Sequence, residues 1–113
     1  MNVSTKPSIK SRGKLEDQVR KECKRWLDKN GYYSPAISNM GFYCTKGFSD
    51  AILIKNGVVI FCEYKKEKGG VQSPDQKKFQ ATIEDHGGIY ILVNSVESLV
   101  EQLTGEKQLC LQS

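Results

Sequence analysis

The sequence predicts an α/β domain, a mixed sheet flanked by helices, and three observations predict it. Apolar residues recur at helical spacing from Leu15 to Leu27. Two strand-like runs are joined by Asn56-Gly57, the strongest short-range hairpin signal. A continuous apolar run, Ile89-Tyr-Ile-Leu-Val93, then follows a segment with a helix N-terminus signature. The expected order is α-β-β-β-α-β-α.

Residues 1–13 are rich in Ser, Lys, Pro and Gly and read as a flexible basic arm; the folded domain is expected over 14–104. Leu15, Val19, Cys23, Trp26 and Leu27 form the buried stripe of the first helix, with Trp26 read as core. Asn30-Gly31 stops that helix. Glu16 lies about 100° round from Leu15, at the margin of the stripe. From Tyr32 to Tyr43 an irregular strand or two is expected, interrupted by Pro35 and by Asn39-Met40-Gly41. The hairpin comprises Asp50-Ala-Ile-Leu-Ile-Lys55 and Val58-Val-Ile-Phe-Cys-Glu-Tyr-Lys65, and a charged loop, Lys66-Glu67-Lys68-Gly69-Gly70, leaves it.

Ser73-Pro74-Asp75-Gln76 opens the second helix. Serine caps it, proline suits the first helical position, and Gln76 completes a capping box. Phe79 and Ile83 lie four apart on its inner face, the helix runs to about His86, and Gly87-Gly88 ends it. Ile89–Val93 fits a strand buried on both faces. Ser95–Leu103 reads as a last short helix, and 105–113 is left as a tail.

Length suits a single domain, and no apolar run approaches membrane-spanning length. The N-terminus lacks the apolar core of a signal peptide, which predicts a cytoplasmic protein. Cys23, Cys44, Cys62 and Cys110 show no CxxC spacing, so reduced thiols are expected. One histidine makes a zinc site improbable. The net charge of +4 is concentrated: residues 1–30 hold nine Lys/Arg against four Asp/Glu, and the remainder holds eight against nine. Such a basic arm and helix suit a polyanion such as DNA. Lys10, Arg12, Lys14, Arg20 and Lys24 are the candidate contacts there, with Lys66, Lys68 and Lys77 near the hairpin end. A solvated surface explains the same lysines equally well from charge alone.

The hairpin carries the chemistry. With a two-residue loop, Lys55 pairs with Val58, and counting outward sets Asp50 opposite Glu63, Cβ atoms roughly 5 Å apart on one sheet face. A β-bulge would break this register. Two carboxylates so placed repel each other, and a divalent cation would reconcile them. Lys65, two residues beyond Glu63, projects from the same face. Each residue also has a structural explanation: Asp50 as a strand start, Lys65 as an ion-pair partner, Glu16 as an acid favoured by the helix dipole, and Gln76 as the capping-box residue.

Glu16, Gly47-x-Ser49-Asp50, Glu63-x-Lys65, Ser73-x-x-Gln76 and Gly87-Gly88 before an apolar strand together resemble the VRR-NUC family. That family is a compact branch of the PD-(D/E)XK nuclease superfamily, with a restriction-endonuclease-like core. The resemblance spans roughly 15–103. Tyr64 departs from it, since the family usually has a small aliphatic residue there; little consequence is expected, because in similar enzymes the backbone of that position, not its side chain, faces the metal.

The resemblance implies an Mg²⁺-dependent DNA endonuclease, with Mn²⁺ able to substitute. Asp50 and Glu63 would be the main ligands, the Tyr64 carbonyl a third, and Glu16 would complete the site. Lys65 would hold or deprotonate the attacking water, and Gln76 would orient Lys65 or that water. Stand-alone relatives imply a homodimer acting on branched DNA, a four-way Holliday junction first, in a bacterial or phage-infected cell. A flap or general DNA nuclease, a hydrolase of nucleotides or RNA, and a catalytically silent DNA-binding module are the alternatives.

Overall fold

A computed structural model describes residues 13–37 and 45–105. The arm residues Lys10 and Arg12, Cys44 and Cys110, most of the tail, and much of the irregular segment before the hairpin lie outside those residues. The described elements are helix α1 (Glu16–Lys29), strands β1 (Ala51–Lys55) and β2 (Val58–Tyr64), helix α2 (Pro74–Asp85), strand β3 (Ile89–Val93) and helix α3 (Val96–Thr104). The strand expected between Tyr32 and Tyr43 is represented among the described residues by one antiparallel bridge, Tyr33 to Ile54.

Asn56 and Gly57 both take positive φ (53° and 80°), as a type I′ turn requires. The β1–β2 register is therefore the expected one, from Lys55↔Val58 to Ala51↔Cys62 without a bulge. β3 pairs in parallel with β2, from Ile60↔Ile89 to Tyr64↔Val93, so β2 is the central strand of a three-stranded mixed sheet. A parallel pair needs a long crossover, and α2 supplies it.

Strand alternation then sorts the side chains. Ala51, Leu53, Ile60, Cys62, Tyr64, Ile91 and Val93 face one way and meet Val19, Cys23 and Leu27 of α1 and Leu99 and Leu103 of α3. Phe61 faces the other way and joins Phe48, Phe79 of α2 and Tyr90 in a chain of tilted and edge-to-face rings with centroids 4.8–6.3 Å apart. Cys23 and Cys62 are free and buried, and burial pushes both thiols up, Cys23 to about 12, which leaves them unreactive.

Three packing expectations are corrected. Leu15 is 63% exposed, because it is the N-cap of α1 and its extended backbone turns it off the buried stripe. Trp26 sits at the margin of the core against Tyr32, with ring centroids 6.1 Å apart. Leu92 is 40% exposed: β3 is an edge strand, and α2 covers Tyr90 but not the end of the strand beyond it. The boundaries of α2 and α3 agree with their caps, Ser73 and Ser95 each accepting from the amide three residues on.

Gly47 ties the segment before β1 to the start of α2. It is the third residue of a turn closed by Phe48 N–H donating to the Thr45 carbonyl at 3.2 Å, and its φ is +77°. A Cβ built there would collide with the Asp75 carbonyl. Gly47→Ala is therefore expected to lower stability by about 2–4 kcal/mol, through positive φ and the backbone clash together. Urea unfolding of the two proteins measures it, and an unchanged midpoint would refute this packing.

Candidate active site

The register delivers Asp50 one position beyond the last β1 pair, beside Glu63. Ser49 holds the approach: it is buried and its hydroxyl donates to the Ala51 carbonyl at 3.1 Å. Past Ala51 the ladder is continued by a side chain. Tyr64 N–H donates to Asp50 Oδ2 at 2.8 Å. Burial pushes the Asp50 carboxyl above the ordinary carboxylate range; the Tyr64 amide and the Arg20 charge oppose that shift, and Glu63 adds to it. Strand geometry turns the Tyr64 carbonyl toward the same side as its N–H, at the open end of β1. The Tyr64 ring is buried among the core residues, with the Arg20 guanidinium 5.9 Å from its centroid, so the fold accommodates the bulky residue at this position.

Glu63 is wholly buried, an unusual place for a carboxylate. Its Oε1 accepts from the Tyr90 hydroxyl and, at 3.3 Å, from Gln72 Nε2. Its Oε2 lies 3.0 Å from Lys65 Nζ yet outside hydrogen-bonding geometry, so this buried oxygen makes no hydrogen bond. Lys65 is held from the other side: Nζ donates to Gln76 Oε1 at 2.9 Å. The same Gln76 oxygen accepts from the Ser73 amide at 2.9 Å, and Gln76 N–H donates to Ser73 Oγ at 3.1 Å. The capping box thus aims Gln76 at Lys65, and the structural and orienting roles coincide in one side chain.

Glu16 is placed at the rim. Its carboxylate pairs with Arg20 at 3.3 Å and is 43% exposed, and with Lys65, Lys66 and Val71 it lines a shallow depression. Among the described residues no group of three or more His, Cys, Asp or Glu side chains converges as a metal site. Glu16 meets Arg20, whose charge also acts on Asp50. Of the basic residues, Lys14 pairs with Glu22 at 2.8 Å, Arg20 also with Asp17 at 3.4 Å, and Lys24 with Asp28 at 2.8 Å. Lys66, Lys68 and Lys77 are exposed. Arg20, Lys21, Lys24 and Arg25 form one wall of a cleft of about 980 Å³ that reaches Asp50 and Ser49.

The chain matches no protein-family model and no curated protein. Among solved structures it is similar to a chain described as "VRR_NUC domain", with a TM-score of 0.69 and 22% identity over 80% of this chain and 96% of that one. The chain has the VRR_NUC fold. Of that fold, the described residues include the hairpin, the crossover helix and the parallel third strand.

Two residues close to this site are absent from the sequence-based set: Gln72 and Tyr90. Gln72 lies in the loop before α2, and Tyr90 in an otherwise aliphatic strand. The available signal is the tyrosine itself, whose hydroxyl needs a partner when its ring is buried.

Proposed function

We propose that the protein is a metal-dependent, structure-selective DNA endonuclease. The observation that carries this reading is the wholly buried Glu63 carboxylate, whose Oε2 makes no hydrogen bond. Burying a carboxylate whose Oε2 meets only the Lys65 ammonium, without a hydrogen bond, is costly for a folding role alone. It suits a site built for a cation.

The donor set fits Mg²⁺, a hard ion that needs only one or two carboxylates besides waters and substrate phosphate. Asp50 and Glu63 would hold it, with the Tyr64 carbonyl beside them; Glu16 would join on releasing Arg20, an exposed pair worth little by itself. When bound, the ion would supply water activation and charge neutralisation at the phosphate. Lys65 is poised by Gln76 to hold the attacking water through its ammonium and to offset charge on the phosphate. Arg20 and Lys24 on the cleft wall, with Lys14, Lys66, Lys68 and Lys77, and with Lys10 and Arg12 of the arm, would follow the DNA backbone. The ion pairs of α1 are surface pairs that phosphates can replace.

The preferred substrate in this reading is a four-way junction, cut by a two-fold dimer that brings two sites and two basic arms to one branched molecule. The protein would act in the cytoplasm of a bacterial or phage-infected cell. No helix of the described residues is long and apolar enough to cross a membrane.

The test is cleavage of a synthetic four-way junction beside a flap and a linear duplex, with Mg²⁺, with Mn²⁺ and with chelator. Paired nicks in the junction, lost with chelator, are the expected result. Cutting of the flap or duplex alone would keep the nuclease and discard junction resolution. Binding without any cutting would overturn the enzymatic reading. Junction affinity should also fall steeply with salt, because contacts to several phosphates release counterions; a flat salt dependence would speak for a small nucleotide substrate.

A further inference from the structure

Glu63 has two oxygens in different surroundings. Oε1 meets two neutral donors, the Tyr90 hydroxyl and the Gln72 amide. Oε2 meets the Lys65 ammonium at 3.0 Å and no hydrogen bond. Neutral donors satisfy one oxygen without cancelling the charge of the group, so the negative charge stays available on the other side.

Each donor is itself fixed. The Tyr90 ring is buried against Phe79, edge-on with centroids 6.3 Å apart. Its backbone stands opposite Phe61, so the side chain reaches along the sheet to Glu63, two positions on. Gln72 Nε2 is within 3.0 Å of Gln80 Oε1 on α2 and 3.4 Å of the Tyr90 oxygen, and Gln80 in turn donates to Glu84 at 3.1 Å. A line of hydrogen bonds therefore runs from the solvent face of α2 to the buried carboxylate.

We propose that Tyr90 and Gln72 are positioning residues, which pin Glu63 Oε1 so that Oε2 is presented to the divalent cation. The inference rests on the metal-dependent reading above. Packing alone does not require it: a phenylalanine at position 90 would preserve every ring contact and lose only the hydroxyl.

The test is titration of metal-free protein with Mn²⁺ by calorimetry, without DNA, for wild type, Tyr90→Phe, Gln72→Ala and, as the blank, Glu63→Gln. Thermal unfolding of each accompanies it. Partners of this kind typically govern metal affinity by 10–100-fold, so Tyr90→Phe is expected to weaken Mn²⁺ binding by about that factor. Gln72→Ala is expected to act in the same direction by about 3–10-fold, since its bond is longer and Tyr90 remains. In cleavage, both variants should need more Mg²⁺ for half-maximal rate, while the rate at saturating Mg²⁺ recovers. A merely structural role would lower the unfolding midpoint and leave the Mn²⁺ constant alone.

Wild-type affinity in Tyr90→Phe would overturn the positioning role and leave the metal site standing. Should Tyr90→Phe fail to fold, unchanged Mn²⁺ binding by Gln72→Ala, from its half-buried loop, would overturn it instead. No difference between wild type and the Glu63→Gln blank would remove the metal site, and this inference with it.

Discussion

Lys65→Ala is expected to abolish cleavage, by about a thousandfold or more, and to destabilise the metal-free protein as well. Both effects come from the position of one ammonium. Lys65 Nζ lies 3.0 Å from the buried Glu63 carboxylate and 2.9 Å from Gln76 Oε1. In the proposed reaction it holds the attacking water and balances charge at the phosphate; losing such a group typically costs two to four orders of magnitude, roughly. In the metal-free fold it is also the cation facing Glu63. Removing one partner of a buried pair leaves an uncompensated charge, worth about 3–5 kcal/mol. A divalent ion on Glu63 would replace the missing positive charge. Mg²⁺ should therefore raise the unfolding midpoint of Lys65→Ala more than that of wild type. Cleavage assays and thermal unfolding with and without Mg²⁺ measure both. Near-normal cutting by Lys65→Ala would dismiss the lysine from the chemistry.

Glu63→Gln is expected to cost far more in activity than in stability. The amide is nearly isosteric, and its oxygen can still accept from Tyr90 and Gln72. What disappears is a carboxylate held away from water. Removing one partner of the buried pair leaves the Lys65 ammonium without its counter-charge, so the metal-free variant should lose stability. The loss should be less than the roughly 3–5 kcal/mol of a fully buried pair, because Gln76 and solvent still hold the ammonium. Cleavage should nevertheless fall by about a thousandfold or more, and the stabilisation by Mg²⁺ should vanish. This combination separates a functional carboxylate from a structural one. If Glu63 serves only as an ion-pair partner of Lys65, Glu63→Gln lowers stability and leaves cleavage unchanged.

Much of the site is legible in the chain because local chemistry sets it. Asn56-Gly57 dictates a two-residue turn, the turn dictates the register, and the register puts Asp50 beside Glu63 with Lys65 on the same face. Ser73 and Gln76 announce their helix through a capping box, and the box brings Gln76 to Lys65. These are relations over a few residues, or over one hairpin. Leu15 misleads because helical spacing marks a stripe without saying where its first turn frays from the core. Leu92 misleads because an apolar run does not say whether its strand lies at the edge of the sheet.

The surroundings of the carboxylates are a different matter. Tyr90 is 27 residues from Glu63, and its hydroxyl arrives there only because α2 returns the chain to pair β3 alongside β2. Gln72 approaches because the loop between β2 and α2 folds back over the sheet. Glu16 sits on the first helix, and its partner there is Arg20, four residues on. By itself, then, the sequence determined the mixed α/β plan, the hairpin register and the alignment of Asp50, Glu63, Lys65 and Gln76, since turn geometry and side-chain alternation act through neighbours along the chain. Only the tertiary structure decided that Glu63 is buried, which of its oxygens is hydrogen-bonded, and that Glu16 is paired with Arg20. Burial and hydrogen-bond partners are set by segments distant in sequence, and solvent exclusion is a property of the packed whole.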